Sequence, residues 1–175
     1  MSGRPTEAAR LLALLLVAVT APGHGQDIGQ KLVGAWYGVE GIDPVTNEDA
    51  RTVITAPLEA EASAQIKCWP NGAFNVLVLF NARLPPGVGD TSVTVSYRFD
   101  RGVPSQGRAY LIYVSERNFA VSLGPTLYSA LLEAGPDTFD IRVHHPDDPS
   151  EDLARGEIDV SGLGTALDWC LAVQD

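Results

Sequence analysis

The sequence predicts a mainly β (α+β) fold: an antiparallel β-sandwich or barrel-like domain with two short helices. Three observations point there. Residues 64–100 contain three successive runs of strand character, two of them alternating apolar and polar side chains with the period of a half-buried strand. Residues 138–144 repeat that alternation, with Phe139, Ile141 and Val143 against Asp140, Arg142 and His144. Only two segments show helical spacing, and they do not alternate with strands as a parallel α/β sheet requires.

The elements follow in order. Residues 31–40 hold Trp36 and Tyr37 and suit a strand. Residues 41–51 are turn-rich and acidic. Asp43, Asn47, Glu48 and Asp49 lack the spacing and hinge glycine of a twelve-residue calcium loop, so a solvated loop is expected. A short β-branched strand covers residues 52–56. Ala64, Ile66 and Cys68 then alternate with Gln65 and Lys67, and Pro70-Asn71-Gly72 turns the chain. Residues 73–80 are apolar on both faces, which predicts a central strand covered on both sides.

After a Pro/Gly loop, Val93, Val95, Tyr97 and Phe99 alternate with Thr94, Ser96 and Arg98. Residues 109–114 and 119–123 are further strands. Residues 125–134 form a helix, with Pro125 at its first position, Leu127, Leu131 and Ala134 at helical spacing, and Gly135-Pro136 to end it. The strand over residues 138–144 and a hairpin loop over residues 145–152 lead to a returning strand at residues 156–160. Leu163, Ala166, Leu167, Cys170 and Leu171 mark a last amphipathic helix, opened by Ser161. This gives seven to nine strands, with no internal repeat and no linker.

Residues 1–25 read as a signal peptide rather than as part of the fold. Arg4 and Arg10 precede an apolar run over residues 11–21 that is too short to span a bilayer, and Gly23 and Gly25 supply small residues for cleavage. Residues 26–175 then form a single disulfide-linked β-rich domain, periplasmic or secreted, with no transmembrane segment after cleavage. The chain has 12 Lys and Arg against 22 Asp and Glu, a net charge of −10. Loss of residues 1–25 makes the chain more acidic still. Nucleic-acid binding, which needs clustered Lys and Arg, is therefore not expected. The two cysteines, Cys68 and Cys170, pair naturally as one disulfide in an oxidising compartment.

No motif in the chain specifies catalysis, and no cofactor is expected. There is no G-x-S-x-G elbow, and Gly162-Leu163-Gly164 has Leu167 where a dinucleotide fingerprint needs a third small residue. His144 and His145 beside Asp147, Asp148, Glu151 and Asp152 are weak metal candidates. Adjacent residues on a strand point to opposite faces, which favours an exposed acidic hairpin instead. Arg98, on the polar face of an otherwise apolar strand, is the leading binding candidate, with Tyr97 beside it and Trp36 as a further aromatic. Its bland alternative is a structural ion pair, with Asp100 or with an acidic residue across the sheet.

Several short patterns together resemble the VasI family of periplasmic accessory proteins of type VI secretion. They are the early strand with Trp36, the acidic turn, the strand ending in Cys68, V-x-V-x-Y-R-x-D at residues 93–100, F-x-x-x-L at 119–123, F-x-I at 139–141 and S-G-L…A-L…C at 161–170. The resemblance implies a disulfide-linked β-sandwich with a non-enzymatic role at the envelope. Gly34-Ala35-Trp36 resembles the G-x-W of lipocalins, which implies a carrier of a small apolar ligand. The expectation is an exported, non-enzymatic binding or accessory protein of the cell envelope that meets a protein partner through a sheet edge or a concave face carrying Arg98. The lipocalin-like carrier is the alternative.

Overall fold

A computed structural model describes residues 29–42, 47, 49–55 and 61–172. The expected signal peptide over residues 1–25 and most of the acidic turn at residues 43–48 lie outside the described residues. The strands are β1 (Gln30–Val33), β2 (Trp36–Ile42), β3 (Asp49–Thr55), β4 (Ala62–Cys68), β5 (Phe74–Phe80), β6 (Thr91–Phe99), β7 (Ser105–Ser115), β8 (Asn118–Leu123), β9 (Thr138–His144) and β10 (Asp152–Asp159). The helices are α1 (Pro125–Ala134) and α2 (Leu163–Leu171). Among the described residues the fold is mainly antiparallel β with two short helices, as the sequence predicts.

All ten strands form one antiparallel sheet in the order β1-β2-β3-β4-β5-β8-β7-β6-β9-β10. Sequential hairpins build β1 to β5, and the β6-β7-β8 meander turns back so that β8 rather than β6 lies beside β5. The expected strand over residues 31–40 is two strands, because Gly34 adopts a left-handed φ of 53° and turns the chain between Val33 and Trp36. That split gives ten strands among the described residues where at most nine were expected. β5 is central, as its two apolar faces predict: Val76, Val78 and Phe80 join the main core, while Leu77 and Leu79 join Ile112 and Ala120 in a second cluster on the opposite face.

The sheet curls until β10 meets β4 and β5, so that one face encloses a single core. At the closure a Cβ on Gly156 would lie 2.3 Å from Cβ of Ala62, so this approach requires glycine. Inward residues come from every part of the sheet, including Trp36, Ile66, Val78, Leu111, Val121 and Ile141, all 1% exposed or less. Phe80 stacks on Phe119 with ring centroids 5.1 Å apart, joining the two halves of the sheet at the β5–β8 pairing.

The helices close gaps that the curl leaves. In α1, Pro125 begins the helix and Gly135 ends it with a left-handed φ of 53°, its N–H donating to the Leu131 carbonyl. Leu127 and Leu131 are buried, and Tyr128 packs edge-on against Phe74 of β5. The last helix, α2, lies on β1 to β4. Trp169 covers the backbone of Gly38, where a Cβ would sit 2.6 Å from the ring, and Arg51 stacks on the same indole at 4.8 Å. Ser161 does not open this helix. Its hydroxyl donates to Asp159 Oδ1 at 2.6 Å, and Gly162 takes the N-cap position with a left-handed φ of 81°. A Cβ on Gly162 would also strike Val33, so the bend from β10 into α2 is a glycine turn rather than a capped one.

Cys170 of α2 and Cys68 of β4 are joined, with Cα atoms 5.8 Å apart and the two residues 102 positions apart in the sequence. A link over that span removes about 4–5 kcal/mol of unfolded-chain entropy in the loop-closure model. Cys170→Ala is therefore expected to lower the urea midpoint by an amount worth roughly 2–4 kcal/mol. Gly156→Val, which overfills the closure against Ala62, should cost about 1–3 kcal/mol or more. Unchanged midpoints in either variant would contradict the corresponding contact.

Candidate functional site

The outer face of β6, β9 and β10 is polar because of the alternation that builds the core. With Val95 and Tyr97 turned inward on β6, Ser96 and Arg98 must turn outward. The same rule sends Asp140, Arg142 and His144 out from β9, and Arg155 and Glu157 out from β10, whose Ile158 is buried. The register lines these residues up in rows. Arg98 faces Asp140, which faces Glu157; Ser96 faces Arg142, which faces Arg155; His144 faces Asp152. Apart from Asp152, these residues line a groove of about 540 Å³ together with Glu61, which immediately precedes β4.

Arg98 is paired with Asp140 directly across the β6–β9 ladder. Its Nε donates to Oδ2 at 2.7 Å and its Nη2 to the same oxygen, with both side chains partly exposed. The acidic partner across the sheet anticipated for Arg98 is thus Asp140, while Asp100 is occupied elsewhere. Asp100 Oδ1 accepts the backbone N–H groups of Asp137 and Thr138 at 3.0 and 2.9 Å, fixing the chain as it enters β9. Tyr97 turns to the opposite face of the same strand and packs against Phe99 and Phe139, with ring centroids at 5.4 and 6.4 Å.

Trp36 is not a surface residue. It is completely buried, and its indole N–H donates to the Val160 carbonyl at 3.4 Å. An aromatic on the inward register of a curled sheet is core by construction, so no partner can touch it in the folded protein.

His144 and His145 point apart, as neighbours at a strand end should. His145 lies in the hairpin, where its Nδ1 accepts the Asp147 N–H at 3.2 Å. Beside it, the Ser150 hydroxyl and N–H both donate to Asp148 and hold that carboxyl below the ordinary aspartate value. Among the described residues, no three His, Cys, Asp or Glu side chains converge as metal ligands.

His144 instead joins Ser96 and Asp152 in an arrangement that the sequence did not reveal. Ser96 Oγ lies 2.7 Å from His144 Nε2, and Asp152 Oδ1 lies 3.0 Å from His144 Nδ1. These are the three residue types of a hydrolytic triad. Two features argue against that chemistry. Asp152 is within ion-pair distance, but it lies outside the angular range of a hydrogen bond, so Nδ1 is buried without a directed partner. Residues 95–97 are also paired with β7 on one side and β9 on the other, which commits the local backbone N–H groups to the ladder and leaves none to stabilise an oxyanion. Ser96 Oγ additionally takes a long contact of 3.4 Å from Gln106 Nε2. The trio is a polar brace across β6, β9 and β10. Only strand register brings its members together, and register could not be read from the linear spacing of Ser96, His144 and Asp152.

No family model matches the chain, and no curated protein or solved structure shows significant similarity to it.

If Ser96 is a brace rather than a nucleophile, a fluorophosphonate probe should leave it unlabelled. Ser96→Ala should then hydrolyse p-nitrophenyl acetate at the background rate of the unsubstituted protein. Covalent labelling at Ser96, lost in the alanine variant, would contradict this assignment.

Proposed function

We propose that the protein is an exported, non-enzymatic binding protein of the cell envelope that acts through protein–protein contacts at the β6–β9–β10 face. The observation that carries this reading is the groove itself. It is an open, charged depression of about 540 Å³ on a rigid sheet, with Arg98, Arg142 and Arg155 among its lining residues. Arginine is favoured at protein contacts because its planar fork can bind a carboxylate through two hydrogen bonds and can stack on aromatic rings. A groove bordered by these arginines and by Glu61, Asp140 and Glu157 suits a protein partner better than the small apolar ligand that the lipocalin likeness implies. Among the described residues, no helix is long and apolar enough to cross a membrane. The Cys68–Cys170 link suits an oxidising compartment. The VasI-like order of short patterns points the same way, toward an accessory role at the envelope.

The test is cross-linking in the exporting cell, comparing the unsubstituted protein with Arg98→Ala and with Arg83→Ala, an exposed control outside the groove. A protein adduct that survives Arg83→Ala and falls about tenfold in Arg98→Ala supports the reading, since truncating a well-placed interface arginine costs about 1.4 kcal/mol or more. A folded Arg98→Ala variant that keeps every adduct would overturn it.

A further inference from the structure

The edge strand β10 carries a charge pattern that its own sheet does not satisfy. Arg155 stands directly opposite Arg142, and Glu157 directly opposite Asp140. Like charges at facing positions of an antiparallel pair are destabilising, and here both outward positions at the centre of β10 face a like charge. Among the described residues, Arg142, Arg155 and Glu157 have no hydrogen-bonding or ion-pair partner for their side chains. The other side of β10 pairs with no strand among the described residues, although past the register shift between Asp152 and Ala154 the strand runs regularly to Asp159 and contains no proline. An edge of that length is a template for pairing unless something covers it or blunts it.

The sequence of β10 is complementary to itself. If two copies pair antiparallel about a twofold axis at Gly156, Arg155 of one copy falls opposite Glu157 of the other, and the reverse. The two residues share a face, so both ion pairs form on the outer side. Each acidic row, Asp140 then Glu157, continues into the basic row, Arg155 then Arg142, of the second copy. Gly156 lies at the axis with its inward side packed against Ala62 of β4, so it is the hydrogen-bonding edge of β10, not that face, that meets the second copy.

We infer that β10 is a self-association edge, through which two copies of this chain join their sheets into one continuous antiparallel sheet. The partner is a second copy rather than an unrelated protein, because only a copy brings Glu157 to Arg155 and Arg155 to Glu157 at the same time. The inference goes beyond the proposed partner and is separable from it, since Arg98 lies on β6, two strands in from the edge. An interface of one strand pair is small and belongs with weak, reversible contacts.

The test is sedimentation equilibrium of the exported, oxidised protein across micromolar concentrations, with Arg155→Glu, Glu157→Arg and the double swap. The unsubstituted protein should show a monomer–dimer equilibrium that weakens with added salt. Each single substitution puts like charges opposite each other in the dimer and should weaken association about tenfold or more. The double swap recreates both ion pairs and should restore the dimer. Folding is checked by the melting temperature of the monomer. Each single variant removes a like-charge pair within the chain, so this should hold or rise by about 1–3 °C while association is lost. A protein that stays monomeric at every concentration overturns the inference. So does a dimer that all three variants form equally well, or one that the double swap fails to restore.

Discussion

Among the described residues, a ten-stranded sheet with two short helices buries its continuous apolar face by folding across itself. That folding governs the rest of the structure. Every strand contributes inward side chains to the same core, and the helices are left to fill the ends and one flank rather than to cover a whole sheet face. The closure depends on a backbone approach that a side chain would block, which is why Gly156 lies against Ala62. The link from Cys170 to Cys68 then holds α2 on the far side of the curl, where Trp169 and Arg51 seal its contact with β2 and β3. Apolar burial supplies the driving force, and the cross-link limits how far the chain can open.

The same alternation creates the proposed binding face. Because Val95, Ile141 and Ile158 are drawn inward, charged and hydrogen-bonding neighbours on three adjacent strands are forced outward in register. Some of these satisfy one another, as Arg98 does with Asp140 and Ser96 with His144. Others do not: Arg142, Arg155 and Glu157 remain exposed and face like charges. A sheet surface that has settled part of its polar demand and left the rest open is suited to a complementary surface. The acidic character of the chain as a whole makes the two facing arginines a local exception.

Much of the local structure was legible in the sequence. The period-2 runs located β4, β6 and β9, the doubly apolar run gave the central β5, and Pro125 with Gly135 bounded α1. These signals are local, and the physics behind them acts over a few residues. What could not be read is what depends on partners distant in sequence. Nothing in residues 74–80 says that they pair with 118–123 rather than with 91–99. Trp36 looked like a surface candidate because a strand's inward face is known only once the sheet has curled. Ser161 looked like a helix cap, but the bend at Gly162 removed it from that position. Arg98 was singled out because it is unusual within its own strand. The opposition of Arg142 to Arg155 and the meeting of Ser96, His144 and Asp152 are facts of register, and register is set by the whole sheet.

We propose the outer face of β6, β9 and β10 as the surface by which this protein meets other chains. Hydrogen exchange tests it most directly, comparing protein recovered intact from the producing cell with the same protein after high-salt washing. The account predicts that the washed protein exchanges faster along β9 and β10, while the amides of β4 and β5 in the curled core are unchanged. Protection that is lost mainly from the core strands, or from α2 alone, would place the contact elsewhere and contradict it.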